Sequence, residues 1–300
     1  MSDTSTRNAV LPDTSSRVAV RNTRAGRVPS TWWKHVILLA LGLVMLYPVL
    51  WMVSSAFKPN AKIFSDPGLI PTEWDFSNFA AGWNALESPF SAYIVNSLIV
   101  VAGSVVGNLI SCTMAGYAFA RLKFKGRNAW FAVMMLTLML PIHVLIVPQY
   151  VMFSQAHLIN TFVPLILPKL LATDAFFVFL MVQFFRSLPA ELEEAARLDG
   201  AGHARIFLQI MLPMATPALA TTAIFTFIWT WNDFFRQLIF LTKPDKQTVP
   251  LALRTFVDAT GGSSWGSLFA MSLVTLLPIF LVFLFGQKYL VKGIATTGIK

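Results

Sequence analysis

Apolar residues in this chain gather into long, nearly unbroken runs, separated by shorter polar stretches. Crossing a hydrocarbon core of about 30 Å takes roughly 20 apolar residues in a helix that rises about 1.5 Å per residue. Six runs qualify, over residues 35–54, 91–120, 129–150, 162–185, 214–235 and 265–289, and each is predicted to be a membrane-spanning helix. Residues 1–34 are rich in Ser, Thr, Asn and Arg and show no apolar periodicity. Such a segment cannot offset the entropy of ordering, so a disordered tail is predicted there. The first apolar run starts too late for a cleavable signal peptide, and no small-residue cleavage site follows it, so the tail is expected to stay attached. The pattern predicts an all-α, polytopic fold with one transmembrane domain over residues 35–300.

Small residues and helix breakers recur inside the runs. Gly103 and Gly107 form one close-packing spacing and Ser111 and Ala115 another, which lets helix backbones approach where lipid supplies no hydrophobic drive. Pro141 and Pro148 are expected to kink the third span. Two longer connections, 56–90 and 236–264, contain Pro, Gly, Trp and turn-forming residues. They are either plain connectors or docking elements for a partner.

Composition agrees with a bilayer environment. Hydrophobic residues make up 56% of the 300 and charged residues only 12%, where a soluble domain carries about a quarter charged. The net charge of +9 raises the question of a nucleic-acid partner, but the basic residues follow membrane sidedness instead of one folded face. With the amino terminus inside, the cytosolic side collects Arg7, Arg17, Arg21, Arg24, Arg27, Lys34, Arg121, Lys123, Lys125, Arg127, Arg186, Arg197, Arg205, Lys288, Lys292 and Lys300. The opposite side holds Lys58, Lys62, Arg236, Lys243, Lys246 and Arg254. Sixteen against six places both termini in the cytosol. The one cysteine, Cys112, lies within an apolar run, which excludes an internal disulfide or paired-thiol chemistry.

The predicted cytosolic segment 186–213 has a helical signature. Pro189 suits a first turn, and Glu191, Glu193 and Glu194 sit where a helix amino terminus favours negative charge. A helix is predicted from Pro189 to Asp199, ended by Gly200, which takes left-handed backbone angles at little cost. A second helix follows, with Ile206, Phe207, Ile210 and Met211 on one apolar face, until Pro213 turns the chain into the fifth span. The first helix is too short to hold alone in water, so something is expected to dock on it. Ala195 and Ala196 present a low surface for close approach, and Glu193, Glu194 and Arg197 offer charges for register. The alternative is a solvated connector with Glu193 and Arg197 paired at four-residue spacing.

These residues carry a resemblance. Glu194-Ala195-Ala196, then Gly200, Ile210, Leu212 and Pro213, resemble the EAA loop of ABC importer permeases at every fixed position. The stretches PVLWMVSSAFKP, FIWTWNDFFRQLIFL and GQKYLVKGI resemble the carbohydrate branch, close to the second permease subunit of maltose-type systems. The resemblance implies a type I importer fold, with a core at about 91–290, in the cytoplasmic membrane of a prokaryote. It implies a heterodimer with a second permease, two cytosolic ATPase subunits holding ATP and Mg, and an extracytoplasmic solute-binding protein. It also implies that Glu194, Ala195, Ala196 and Gly200 form a coupling helix and its turn, with Ile210, Leu212 and Pro213 anchoring the return; Glu193, Arg197 and Asp199, on the same predicted helix, join them as coupling candidates. The end of the chain, 293–300, is similar to the family's Gly-rich terminal segment but has Thr297 where a glycine is usual.

No phosphate loop, metalloprotease motif, nucleophile elbow or Cys/His metal spacing occurs, so neither catalytic nor metal-ligating residues are expected and the chain needs no cofactor of its own. Lys169 and Asp174 fall within the fourth span, where each charge costs about 2.5–3.5 kcal/mol at the bilayer centre. They either line a pathway or neutralise one another inside the bundle. Asn96, Asn108 and Asn232 are further pathway candidates, with hydrogen bonding between helices as the competing role. Substrates implied by the resemblance are sugars, polyols and glycerol-phosphate compounds. An ion-gradient-driven secondary transporter, which uses buried ionisable residues at mid-membrane, is the rival, and a non-transporting scaffold a third possibility.

Overall fold

The computed structural model describes residues 32–257 and 263–295, with side chains described up to residue 289. The tail expected over 1–34 therefore lies outside the described residues up to 31, and so do residues 296–300 of the terminal segment. The chain divides into two compact units, 1–47 and 48–300. The described part of the first is helical, the beginning of α1 (Trp32–Ser55).

Among the described residues of the second unit the regular elements are helices, with no strand. It continues with α2 (Ser77–Asn84), α3 (Phe90–Arg121), α4 (Arg127–Thr137), α5 (Ile142–Gln155), α6 (Val163–Leu170) and α7 (Ala175–Ser187). Then come α8 (Glu191–Leu198), α9 (His203–Met214), α10 (Thr216–Trp231), α11 (Phe235–Phe240), α12 (Val249–Arg254) and α13 (Trp265–Ala295). Four helical segments are long and apolar enough to cross a membrane alone: α1, α3, Val163–Ser187 and the described Trp265–Tyr289. The pairs α4–α5 and α9–α10 are bent by 100° and 73°, and counting each pair as one span gives six.

At 32 residues α3 is the longest element among the described residues, and α6, α7 and α10 pack on it. Its small residues set the spacing. A Cβ on Gly107 would lie 3.1 Å from the Leu170 nitrogen, and one on Gly116 would lie 2.5 Å from the Met181 Cβ. The Ser111 hydroxyl adds a hydrogen bond to the Lys169 carbonyl at 2.6 Å.

Three of the predicted spans, the third, fourth and fifth, are interrupted or bounded differently from expectation, each for a local reason. The third span breaks at 138–141, and only Pro141 is responsible. The chain before it winds into three-residue bonds, Met139 N–H to Leu136 O and Leu140 N–H to Thr137 O, because a residue preceding proline is pushed out of the helical region. Pro148 sits inside α5. The fourth span is interrupted at 171–174, where Ala172 has φ 54° and the Thr173 hydroxyl donates to the Pro168 carbonyl at 2.8 Å. The chain turns into α10 at Ala215, after Pro213, because Pro217 occupies the first turn of the new helix. That helix stops at Trp231, four residues short of the predicted end.

The connection 56–89 is folded. The fully buried Lys58 ammonium donates to the carbonyls of Asp66 and Gly68, both at 2.6 Å. Asp66 in turn accepts from the Thr72 backbone and hydroxyl and from the Gly68 N–H. These bonds, the Thr72 backbone bond first, hold the Asp66 carboxyl below its ordinary value of 3.8.

Candidate functional site

Two constructions stand out, one at each end of α7. The first is α8 with the turn that follows it. Three glutamates occupy its first turn, as the helix dipole favours. It starts at Glu191, two residues after the predicted Pro189. Glu193 and Ala196 face inward, while Leu192, Glu194, Ala195, Arg197 and Leu198 are exposed. Ala196 packs among Tyr117, Phe184, Phe185, Ile206 and Met211, so its small size lets the helix lie close to the bundle. On the outer side, Leu198 is 89% exposed, more than any other large apolar side chain among the described residues.

Gly200 ends α8 with φ 78°. Its N–H donates to the Arg197 carbonyl, and the Ala201 N–H donates to the Ala196 carbonyl. This six-to-one and five-to-two pair is a Schellman cap, which needs a left-handed residue at position 200. Beyond it, α9 carries a π turn over Phe207–Met211, in which the Leu212 N–H reaches back to the Phe207 carbonyl. The fully buried Ile206 and Met211 fasten this arm. Ile210 packs against the same cluster, Leu212 is half-buried, and Pro213 is exposed.

Arg121, the last residue of α3, joins the loop to the bundle. Its guanidinium donates to the carbonyls of Phe185, at 3.0 and 2.6 Å, and of Leu188, capping the end of α7. Its Nε lies 3.4 Å from the Glu193 Oε1. That oxygen is buried and accepts no hydrogen bond, so the link is a charge contact. Arg197 approaches the other Glu193 oxygen at 3.4 Å, which realises the predicted four-residue pair at the exposed rim.

The second construction is a cavity of about 430 Å³ lined by Ile142, Lys169, Asp174, Ile228, Trp229, Thr230, Asn232, Asp233 and Arg236. Three interruptions in the spans meet at it: Ile142 follows the bend before α5, Lys169 and Asp174 flank the gap between α6 and α7, and Asn232 and Asp233 separate α10, which contributes Ile228, Trp229 and Thr230, from α11, which contributes Arg236. Non-helical backbone at membrane depth is tolerated where it borders protein or water. Lys169 Nζ donates to Asp174 Oδ2 at 2.6 Å. The same oxygen accepts from Asn108 Nδ2 at 2.7 Å, and Asn108 also donates to the Thr226 hydroxyl at 3.0 Å. Lys169 and Asp174 thus both line the cavity and neutralise one another.

The fully buried Asn108 supports this pair from behind and does not line the space. Asn232 does line it, with its amide turned back to the Ile228 carbonyl at 2.8 Å. Asn96 is elsewhere, donating to the carbonyls of Asp245 and Gln247 and tying α3 to the turn before α12. Asp233 and Arg236 were absent from the predicted set. Asp233 caps α11 through the Arg236 N–H at 3.1 Å. The signal for both was the polar cluster Asn232-Asp233…Arg236 after an aromatic span. No group of three or more His, Cys, Asp or Glu able to hold a metal occurs among the described residues.

Residues 107–296 match the family model described as binding-protein-dependent transport system inner membrane component. The chain belongs to this family. It is the permease component of an ABC importer and a multi-pass membrane protein, and permeases of this kind are transport proteins. The permease is 37% identical over 271 residues to a probable ABC transporter permease protein, YurM, of Bacillus subtilis, covering 90% of this chain and 88% of the relative. It is 34% identical over 262 residues to the diacetylchitobiose uptake system permease protein NgcG of Streptomyces coelicolor, covering 87% and 86%. A solved bacterial ABC transporter involved in import of the acidic polysaccharide alginate shares the permease fold, with TM-score 0.75 and 24% identity over 86% of this chain and 95% of that one. None of these findings supports the ion-gradient-driven alternative.

Proposed function

We propose that this permease is one half of the translocation pathway of an ATP-driven carbohydrate importer, coupled to its ATPase through residues 186–213. Its partners are a second, dissimilar permease, two cytosolic ATPase subunits that hold ATP and Mg, and an extracytoplasmic solute-binding protein. Residues 35–300 form the permease domain, 1–34 a cytosolic tail, and both termini lie in the cytosol, as the asymmetry of basic residues favours. The diacetylchitobiose uptake named for one relative and the alginate import named for the structural neighbour support a saccharide as cargo.

The observation that carries the coupling role is α8 itself. An eight-residue helix is too short to persist alone, yet it is fixed on one side by Ala196 and Glu193 and offers Leu192, Ala195 and Leu198 outward. Closure of the ATPase pair pushes this face. Ala196 and the Arg121–Glu193 contact pass the push to the ends of α3 and α7, and the π turn and the 73° bend absorb the change of angle. The differential contact in the two states is what biases inward-open against outward-open bundles.

Reconstitution with its partner subunits in proteoliposomes tests the reading. Sugar uptake is expected only with ATP on the cytosolic side. Uptake driven by a proton or sodium gradient without ATP would overturn it.

A further inference from the structure

The cavity at the broken spans has features that a plain water-filled gap does not need. Trp229 is 48% exposed although three phenylalanine rings hold it, Phe176 at 5.3 Å, Phe177 at 5.1 Å and Phe225 at 5.9 Å. An indole fixed by neighbours and bare on its remaining surface is a preorganised flat platform. Around it stand two cations, Lys169 and Arg236, two carboxylates, Asp174 and Asp233, and the Asn232 amide. Fixed donors and acceptors around an apolar face match a solute that alternates hydroxyl groups with a face of C–H bonds.

The charges decide which solutes of that kind fit. Lys169 is closed on Asp174 at 2.6 Å, and Arg236 faces a site that also holds the Asp233 carboxylate. The cavity is balanced, two against two. A carboxylated or phosphorylated solute would bring a third negative charge beside two carboxylates at low dielectric, where repulsion is strong.

Resting on the importer reading, we propose that Trp229, Asn232, Asp233 and Arg236 form a saccharide subsite within this permease, and that it accepts uncharged sugar rings and rejects anionic ones. A ring stacks on Trp229 with its hydroxyls donating to Asp233 and accepting from Arg236 and Asn232. Contact is transient, because a transport site must release its cargo.

Saturation-transfer NMR on the assembled importer in nanodiscs, without binding protein or nucleotide, tests this. The probes are cellobiose and cellobiouronic acid, its C6-carboxylate analogue. Cellobiose ring protons are expected to receive saturation and cellobiouronic acid protons at least fivefold less. Trp229→Leu is expected to abolish the cellobiose signal, Trp229→Phe to keep part of it, and Asp233→Asn to raise the signal from the uronate. Recovery of partner subunits in one complex checks that each variant is assembled. No cellobiose signal in the unsubstituted importer, an undiminished signal in Trp229→Leu, or a stronger signal from the uronate would overturn the subsite. The measurement needs no ATP, so failure of the coupling reading appears separately, in the ATP dependence of uptake.

Discussion

Arg121→Ala tests how α8 is held. The guanidinium is 12% exposed and the Glu193 carboxylate 7%, so both charges are largely out of water. Removing one partner of a buried pair costs about 3–5 kcal/mol where the other charge is left unpaired; here Arg197 still approaches the second Glu193 oxygen at 3.4 Å. With a little solvent at both groups the lower end applies, about 3 kcal/mol, which is roughly a 150-fold shift in the ratio of docked to undocked α8. The carbonyls of Phe185 and Leu188 also lose their donor, so the end of α7 frays with it. Hydrogen exchange reports such local opening directly. Amides of 191–201 in the purified importer are expected to exchange about 100-fold faster in Arg121→Ala. In Glu193→Gln, where Arg121 keeps its carbonyls, the increase is about tenfold, equivalent to about 1.4 kcal/mol. The double variant Arg121→Ala/Glu193→Ala is expected to lose less than the two single alanine variants summed, by at least about 1 kcal/mol. Unchanged exchange in Arg121→Ala, or additive losses, would refute the contact as a joint.

Gly200→Val is expected to leave membrane insertion intact, cost at least about 1–2 kcal/mol at the left-handed position, and reduce recovery of the ATPase subunits in a pull-down; normal recovery together with normal transport would count against the cap. Leu198→Ala removes a side chain with no partner in the bundle, so thermal stability is expected to stay within about 0.5 kcal/mol. Its ATPase recovery should nonetheless fall about tenfold or more if the side chain is an interface anchor. Asp66 has a lowered folded-state pKa, so its bonds stabilise the 56–76 segment above the ordinary carboxylate value and that contribution is lost as pH falls through the lowered one. Proteolysis of this segment is therefore expected to accelerate below about pH 4 in the unsubstituted chain and to show no such step in Asp66→Asn.

Much of this architecture was legible from local pattern. Runs of apolar residues mark the spans, and Glu194-Ala195-Ala196 with Gly200 marks a short helix and its cap because the cap geometry is a local demand. What stayed hidden depends on residues far apart in the chain. Arg121 reads as one more basic residue at a helix end, and only folding sets it against Glu193. Lys169 and Asp174 stand out because charges in a span are costly, whereas Asp233, inside the predicted run 214–235, was passed over, and Arg236, just past that run, read as connection. Their common cavity exists because three interruptions converge, and two of these, at 171–174 and 232–234, carry no proline to announce them.

The central claim is that α8 is seated against the ATPase during the transport cycle, and thiol chemistry measures this directly. The single native cysteine, Cys112, is buried, so Ala195→Cys in a Cys112→Ser background places one reactive thiol on the outer face of α8. In the assembled importer this thiol is predicted to crosslink to an ATPase subunit and to be shielded from a soluble maleimide with and without ATP. A thiol labelled as fast as free cysteine in every nucleotide state, with no crosslinked product, would contradict the account.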